Sequence, residues 1–190
     1  YEFLYKNLVE FEKNLDFSRY QTSEFHSKGG HVPGMYTDDT QMSIAIAEVL
    51  SNEDCTTREN LAKSFIECFK RDPIQGYAKG FEGLLESTTS VDDFMERIAP
   101  YAPNTLANGA AMRAVPLGII PDVDDVVDAA ITNAQITHNN SKGKASAATV
   151  ALLSHYNLYQ GNISDFATEG IRIVKDIDFE TGEHLTKIHE

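Results

Sequence analysis

Basic residues and cysteines are both scarce in this sequence, and each shortage narrows the classes of protein it can represent. Sixteen Lys and Arg stand against 29 Asp and Glu in 190 residues, for a formal net charge of −13. An acidic surface repels phosphate backbones, so we expect no nucleic-acid partner, although a bound cation can reverse the sign locally for a small phosphorylated ligand. Cys55 and Cys68 form no CxxC pair, and we interpret them as reduced thiols of a cytoplasmic protein.

Long apolar runs and targeting signals are missing as well. No apolar stretch approaches the length that spans a bilayer, so we expect no membrane partner. Residues 1–5 carry no basic region before an apolar stretch, which argues against a signal peptide there. Clean strand-like alternation, internal repeats and linker-like segments are also absent, which disfavours sheet architectures and several separate domains.

What the sequence does contain is a repeated helical spacing of apolar residues. Asp38 with Gln41, and Thr56 with Glu59, are spaced as capping boxes, and Asp122 is suited to cap a later helix. We therefore predict an all-α fold, a single multi-helix bundle that occupies residues 1–190. The predicted helical stretches are 42–50, 61–69, 91–98, 123–134, 141–159 and 163–174.

The sharpest motif is Y-T-D-D-T-Q-M at residues 36–42. Two adjacent carboxylates at a helix start, flanked by two hydroxyls, offer hard oxygen ligands that suit Mg²⁺ or Mn²⁺ better than Zn²⁺. Asp and Thr at such a position also cap helices and favour the helix dipole. From spacing alone, both interpretations of Asp38 and Asp39 stay open.

A second motif, N-G-A-A-M-R at residues 108–113, is followed by Pro116-Leu117-Gly118. Small residues allow a phosphate or ribose to approach backbone N–H groups closely, and a helix start adds its positive end. The alternative is a tight helix–helix contact made by small residues, with Arg113 exposed.

The third motif is T-H-N-N at residues 137–140. His138 follows a predicted helix and could donate to a phosphate or stack on a base. A lone histidine at a helix C-terminus also interacts with the terminal carbonyl groups, which leaves a structural role open.

Together these motifs resemble three sequence blocks of the ADP-ribosylglycohydrolase family. Residues 34–42 match its G-x-Y-T-D-D-T-x-M block, residues 108–118 its N-G-x-A-M-R-x-x-P-L-G block, and residues 137–138 its T-H pair. The blocks follow in the family's order at about its spacing. The resemblance implies an all-helical hydrolase that cleaves an N- or O-glycosidic bond to ADP-ribose, carried on a protein or a small molecule.

The resemblance also implies a set of site residues and a cofactor. It implies two Mg²⁺ ions, with Mn²⁺ possible, held by metal ligands Glu2, Thr37, Asp38 and Asp39. Glu2, Asp38 and Asp39 are the catalytic residues that it implies. The implied substrate-binding residues, which hold the phosphates and distal ribose, are Asn108, Gly109, Ala111, Met112, Arg113 and His138.

The sequence departs from the family pattern near both ends. Residues 1–3 resemble only the tail of the family's opening G-D-x-x-G-x-x-x-E block, and residues 72–76 only partly match its Asp-Ile-Gly. The D-x-D-T metal block is missing, since Asp176-Ile177-Asp178 is followed by Phe179. We therefore expect the chain to be incomplete at both ends and not catalytically competent by itself. The remaining helix-start acids are interpreted as solvated charges: Asp122, Asp124, Asp125, Asp128, Asp176 and Asp178.

Two other function classes stay open. One is a pseudoenzyme that binds ADP-ribose or a related nucleotide without turnover, which the missing D-x-D-T block favours. The other is a structural protein in which the Asp pair only caps a helix. The intact first and second blocks argue against this last class, because a scaffold needs neither.

Overall fold

Helices make up all the regular secondary structure in the described part of the chain. The computed structural model describes residues 34–52, 55–74, 76–159 and 163–189. The chain divides into two units, Tyr1–Thr37 and Asp38–Glu190. No strand occurs among the described residues, so the predicted all-α class is confirmed. The single-domain assignment stays a prediction, and Glu2 lies outside the described residues.

The second unit is a succession of helices joined by short loops. Two 3₁₀ turns, Ala102–Asn104 and Val115–Ile119, flank α5, and a π-helical turn, Phe166–Gly170, joins α8 to α9. The helices are α1 (Asp38–Ser51), α2 (Arg58–Arg71), α3 (Lys79–Ser87), α4 (Val91–Ile98), α5 (Gly109–Met112), α6 (Val123–Thr137), α7 (Ser141–Tyr159), α8 (Ile163–Asp165), α9 (Ile171–Ile177) and α10 (Phe179–His189).

The first layer of the core forms where α1 packs on α2. The apolar stripe predicted for α1 is buried as Met42, Ala45, Ile46 and Val49. On α2 the stripe Leu61, Phe65, Cys68 and Phe69 is buried in the same way. Buried Ser64 donates to the Ala45 carbonyl at 2.8 Å, which satisfies its hydroxyl inside this contact. Helix α2 also contacts α3, α4 and α6, and so joins the first helices to the rest of the bundle.

Helix α7 forms the centre of the remaining bundle. It contacts α5, α6, α9 and the Val115–Ile119 turn. Its bounds agree with the prediction, and its buried positions are mostly alanine, which allows several helices to approach it closely. These buried residues are Gly143, Ala145, Ala147, Ala148, Ala151, Leu152, His155 and Tyr156.

Two helix-start predictions are confirmed and two are wrong. Asp122 caps α6 by accepting from the Asp124 and Asp125 amides. Helix α4 begins at Val91, where the stretch 91–98 was predicted to begin, and Ser90 before it accepts from the Asp93 amide at 3.1 Å. The cap of α2, however, is Thr57 rather than Thr56, because the Thr57 hydroxyl accepts from the Asn60 amide at 3.2 Å.

The capping box assigned to Asp38 and Gln41 is also wrong. Asp38 is the first helical residue of α1, and Gln41 is fully buried with its amide bonded to other elements.

The assignment of Asp178 as a solvated charge is also wrong. Asp178 is half-buried and caps α10, accepting from the Thr181 amide at 2.9 Å and from the Ser141 hydroxyl at 2.6 Å.

Neither free cysteine pairs with another within the described residues, where Cys55 is exposed and Cys68 is buried. Among the helices described, none combines the length and the apolar character that crossing a bilayer requires.

Candidate functional site

The acidic pair sits at the first turn of α1. Asp38 is half-buried and Asp39 is exposed, and both favour the positive end of the helix dipole. Gly76, in the loop between α2 and α3, lies directly against Asp38. A Cβ added to Gly76 would lie 3.1 Å from both the amide nitrogen and Cγ of Asp38, and would overlap Oδ1. Any residue with a Cβ at position 76 would therefore displace the Asp38 carboxylate.

Gln41 holds that loop against the start of α1. Its Nε2 donates to the Asp72 carbonyl at 2.7 Å, and its Oε1 accepts from the Tyr77 hydroxyl at 2.8 Å. Asp72 and Tyr77 lie on either side of Gly76 in the chain, so one buried amide anchors both ends of the segment. A buried amide with both ends bonded costs little, whereas a broken pair would leave an unsatisfied polar group.

The donor groups at the start of α1 decide whether the expected cation fits there. The described residues contain no group of three or more His, Cys, Asp and Glu side chains that could hold a metal ion. Thr37 is half-buried and directly precedes α1 in the chain, in the first unit. The donors present are two adjacent carboxylates, of the oxygen type that Mg²⁺ prefers, and Gly76 leaves space for that of Asp38. They fit the expected cation as one side of a site.

The glycine-rich block forms the short helix α5 and the turn that follows. Helix α5 contacts α1, α6 and α7, so the first and second blocks lie on neighbouring elements. Gly109 faces His138: a Cβ there would lie 2.9 Å from Cε1 and 3.5 Å from Nε2 of the imidazole. Glycine at 109 therefore lets the third block close over the second. Asn108 is exposed, and Ala111 and Met112 are half-buried.

Arg113 is 1% exposed, so the alternative that expected an exposed arginine is wrong. Its Nε donates to Asn133 Oδ1 at 2.5 Å. One terminal nitrogen donates to the Asn133 carbonyl at 3.0 Å and to the Thr137 hydroxyl at 2.8 Å. The guanidinium also lies 4.7 Å from the centre of the Phe65 ring. None of its hydrogen bonds to the described residues ends on a carboxylate.

Among the described residues, the buried positive charge of Arg113 is thus balanced by dipoles and a π face. Burial lowers the pKa of its guanidinium to about 9, with Tyr77 acting in the opposite direction. That pKa stays above neutrality, so the group carries its charge at pH 7. A buried charge without a counter-ion leaves a positive potential at the adjacent surface, which favours an anion there.

His138 ends α6 and is 5% exposed. Its Nδ1 lies 2.7 Å from the Thr137 hydroxyl oxygen. Burial lowers the pKa of His138 to about 4, and the charge of Arg113 lowers it further, while the Ala107 backbone acts in the opposite direction. Among the described residues, Nε2 is buried without a hydrogen-bond partner.

Asn140 ties the loop before α5 to the start of α7. Its Nδ2 donates to the Thr105 carbonyl at 2.9 Å, and its Oδ1 accepts from the Gly143 amide at 2.8 Å. Gly143 in turn packs on His138, since a Cβ there would lie 2.5 Å from the His138 carbonyl oxygen. The T-H-N-N motif therefore organises the segment that carries Asn108.

Several residues of this arrangement were not identified as site residues from the sequence, among them Gln41, Phe65, Asn133 and Asn140. Gln41 and Asn133 carried a detectable signal, because each is a polar residue inside an apolar helical stripe and both are fully buried. Asn133 accepts from Arg113 and donates to the Ala110 carbonyl at 3.0 Å, so it joins α6 to α5. For Phe65 and Asn140 the sequence offers no such signal.

Comparison with known proteins agrees with the motif blocks. A family model described as ADP-ribosylglycohydrolase matches residues 1–189. ADP-ribosylhydrolase ARH3 of Xenopus tropicalis is 33% identical over 136 residues, which cover 68% of this chain and 38% of the relative. The human protein of that name is 33% identical over 68% of this chain and 37% of its own length.

The match with a bacterial relative has a lower sequence identity but covers a larger share of both chains. The ADP-ribosyl-[dinitrogen reductase] glycohydrolase of Rhodospirillum rubrum is 26% identical over 156 residues, 78% of this chain and 51% of the relative. In each of these three comparisons the chain therefore spans about half the relative's length or less.

Proposed function

Because the chain belongs to the ADP-ribosylglycohydrolase family, we propose that the complete protein hydrolyses the N- or O-glycosidic bond that joins ADP-ribose to a protein side chain or a small acceptor. The motif blocks and the names of the relatives support this activity. A substrate of this class brings a pyrophosphate, so the protein must hold an anion beside the bond that breaks.

One observation carries the proposal: among the described residues, the Nε2 atom of His138 is buried without a hydrogen-bond partner, next to Gly109 and close to the charge of Arg113, which bonds to no carboxylate there. A buried polar atom without a partner is rare in native proteins, and a ligand is one explanation for it. A phosphate oxygen fits both features, because it accepts hydrogen bonds and carries negative charge. The exposed backbone at Asn108 lies beside this position in the chain.

Mg²⁺, as two ions with Mn²⁺ possible, is the cofactor that we propose for the reaction. When bound, such cations lower the pKa of a water and stabilise negative charge on oxygen. Asp38 and Asp39 would supply carboxylate oxygens, and the family pattern adds Thr37 and Glu2. The close approach of Gly76 supports this role for Asp38, since it leaves the carboxylate room.

The chain's own residues would then do two things. The carboxylates of Asp38 and Asp39, with Glu2, would accept a proton from the attacking water and stabilise the positive charge of an oxocarbenium-like transition state. The segment from Asn108 to Arg113 and His138 would hold the ADP-ribose phosphates, so that the scissile bond lies beside the carboxylates.

The test uses the complete protein with ADP-ribosyl-arginine and ADP-ribosyl-serine peptides, with and without Mg²⁺. Release of ADP-ribose that depends on Mg²⁺, together with its preference between the peptides, would support the hydrolase and identify the bond. Calorimetric binding of ADP-ribose without release from either peptide would favour the pseudoenzyme alternative. Absence of both binding and release would refute the two functions together.

A further inference from the structure

The hydrogen bonds around Thr137 form a directed chain. An arginine nitrogen can only donate hydrogen bonds, so the terminal nitrogen of Arg113 donates a hydrogen bond to the Thr137 oxygen at 2.8 Å. The hydroxyl of Thr137 has one proton of its own to donate. Among the described residues, the hydrogen-bond acceptor in its reach is His138 Nδ1, at 2.7 Å.

This direction decides which ring nitrogen of His138 carries the proton. If Thr137 donates to Nδ1, then Nδ1 is unprotonated and the neutral ring carries its hydrogen on Nε2. In the opposite tautomer, the Thr137 hydroxyl hydrogen and the Nε2 lone pair would both be buried without partners in the described part of the chain. Two unsatisfied buried groups make that tautomer the costlier one.

We infer that Arg113 is a positioning residue: acting through Thr137, it holds His138 as the Nε2–H tautomer, so that a buried N–H donor is directed at an acceptor oxygen of the ligand. Arg113 is 1% exposed, with Asn133 bonded to its Nε and the Phe65 ring 4.7 Å from its guanidinium, and it contributes through this chain and its charge. The tautomer follows from the hydrogen bonds alone, whereas the ligand part rests on the proposed function.

The surroundings of Nε2 fit a donor that waits for an anionic oxygen. Gly109 lies opposite the ring edge, where a side chain would occupy the space next to Cε1 and Nε2. A terminal nitrogen of Arg113 also lies near this space, 3.9 Å from the position that a Cβ added at Gly109 would take, and its positive charge favours an anion there. The neutral Nε2–H tautomer carries its hydrogen-bond donor whether or not a ligand is bound, so donation to the ligand does not require a charged histidine.

The first experiment reads the tautomer directly in the complete protein. The nitrogen chemical shifts of the His138 ring, assigned through their loss in His138→Gln, distinguish protonated from unprotonated nitrogens at pH 7. We expect a protonated Nε2 and an unprotonated Nδ1 that receives a hydrogen bond. A protonated Nδ1 would overturn the inference, whether or not the protein binds ADP-ribose.

The second experiment compares two variants of Thr137. Thr137→Ser keeps the hydroxyl and loses the methyl group, whereas Thr137→Val keeps the shape and loses the hydroxyl. We expect the Ser variant to bind ADP-ribose within about threefold of wild type, and the Val variant to bind about 10- to 100-fold more weakly, as for loss of a hydrogen bond to a charged group. The Nδ1 chemical shift should move in the Val variant alone.

The outcomes separate the positioning role from simple packing. If Ser and Val weaken binding equally, or Ser more than Val, the methyl group matters rather than the hydroxyl and the inference fails. Arg113→Lys tests the start of the chain, and if that variant does not fold, the Thr137 pair decides. If the wild-type protein binds no ADP-ribose, the proposed function fails, while the tautomer measurement still supports or overturns the chain of hydrogen bonds.

Discussion

The buried imidazole of His138 leads to a specific dependence of stability on pH. Its pKa falls from 6.5 to about 4 in the folded protein, chiefly because burial disfavours the charged ring. Between these two values the unfolded chain binds a proton that the folded chain does not. The free energy of unfolding therefore falls as the pH falls through this window. Above the window this histidine adds no pH dependence, and below it the full destabilisation remains.

The size of the effect follows from the shift. At 1.36 kcal/mol per pKa unit, a displacement from 6.5 to about 4 corresponds to about 3 kcal/mol. That is a large share of the stability of a small domain, which is typically about 5–15 kcal/mol. The other titrating groups of this acidic chain also contribute, so the histidine must be isolated by subtraction.

Urea unfolding of the wild type and of His138→Gln, at a series of pH values from about 8 to about 4, provides that subtraction. We expect the stability difference between the two proteins to change by about 3 kcal/mol in the sense of acid destabilisation of the wild type. His184→Gln, at an exposed position on α10, serves as the matched control and should show no comparable change. A difference for His138→Gln that stays flat across the window would refute a neutral, buried imidazole.

Three further predictions concern Gly76, compared with Gly34 as a control, the acidic pair, and Gly109. Gly76 and Gly34 both have positive φ, 121° and 93°, so alanine at either position should lower the free energy of unfolding by about 1–3 kcal/mol. Only Gly76→Ala should also weaken the Mg²⁺-induced thermal shift, because a Cβ at Gly34 would have nothing within 4 Å. Equal Mg²⁺ responses in the two variants would contradict this. Asp38→Ala or Asp39→Ala in the complete protein should weaken Mg²⁺ binding and lower turnover by orders of magnitude. Wild-type activity of both at limiting Mg²⁺ would instead leave only their interaction with the helix dipole, worth about 0.3–1 kcal/mol. Gly109→Val should raise the calorimetric dissociation constant for ADP-ribose and leave the Mg²⁺ response intact, since its Cβ would displace the imidazole 2.9 Å away, and an unchanged constant would count against this site.

Local helical signals in the sequence were sufficient for some elements and not for others. The bounds of α7 were predicted correctly because its alanine-rich run favours helix by itself. The helices α3 and α10 were missed. Helix α3 contains two glycines in nine residues, so its own propensity is weak and its packing on α2 stabilises it. The cap of α2 was placed one residue early, because Thr56 and Thr57 are adjacent and only the backbone geometry selects between them.

By itself, then, the sequence determined the helical class, the family and the residue types gathered in the three motif blocks. It could not determine the partners of those residues. The contacts of Arg113 with Asn133 and Thr137 join positions 20 and 24 residues apart, and those of Gln41 join positions 31 and 36 residues apart. Helical periodicity states which face of a helix is buried, but not which residue of another helix that face meets. Only the packing of α5 against α6 made Arg113 a buried charge, and left the Nε2 atom of His138 as a buried side-chain atom without a hydrogen-bond partner in the described part of the chain.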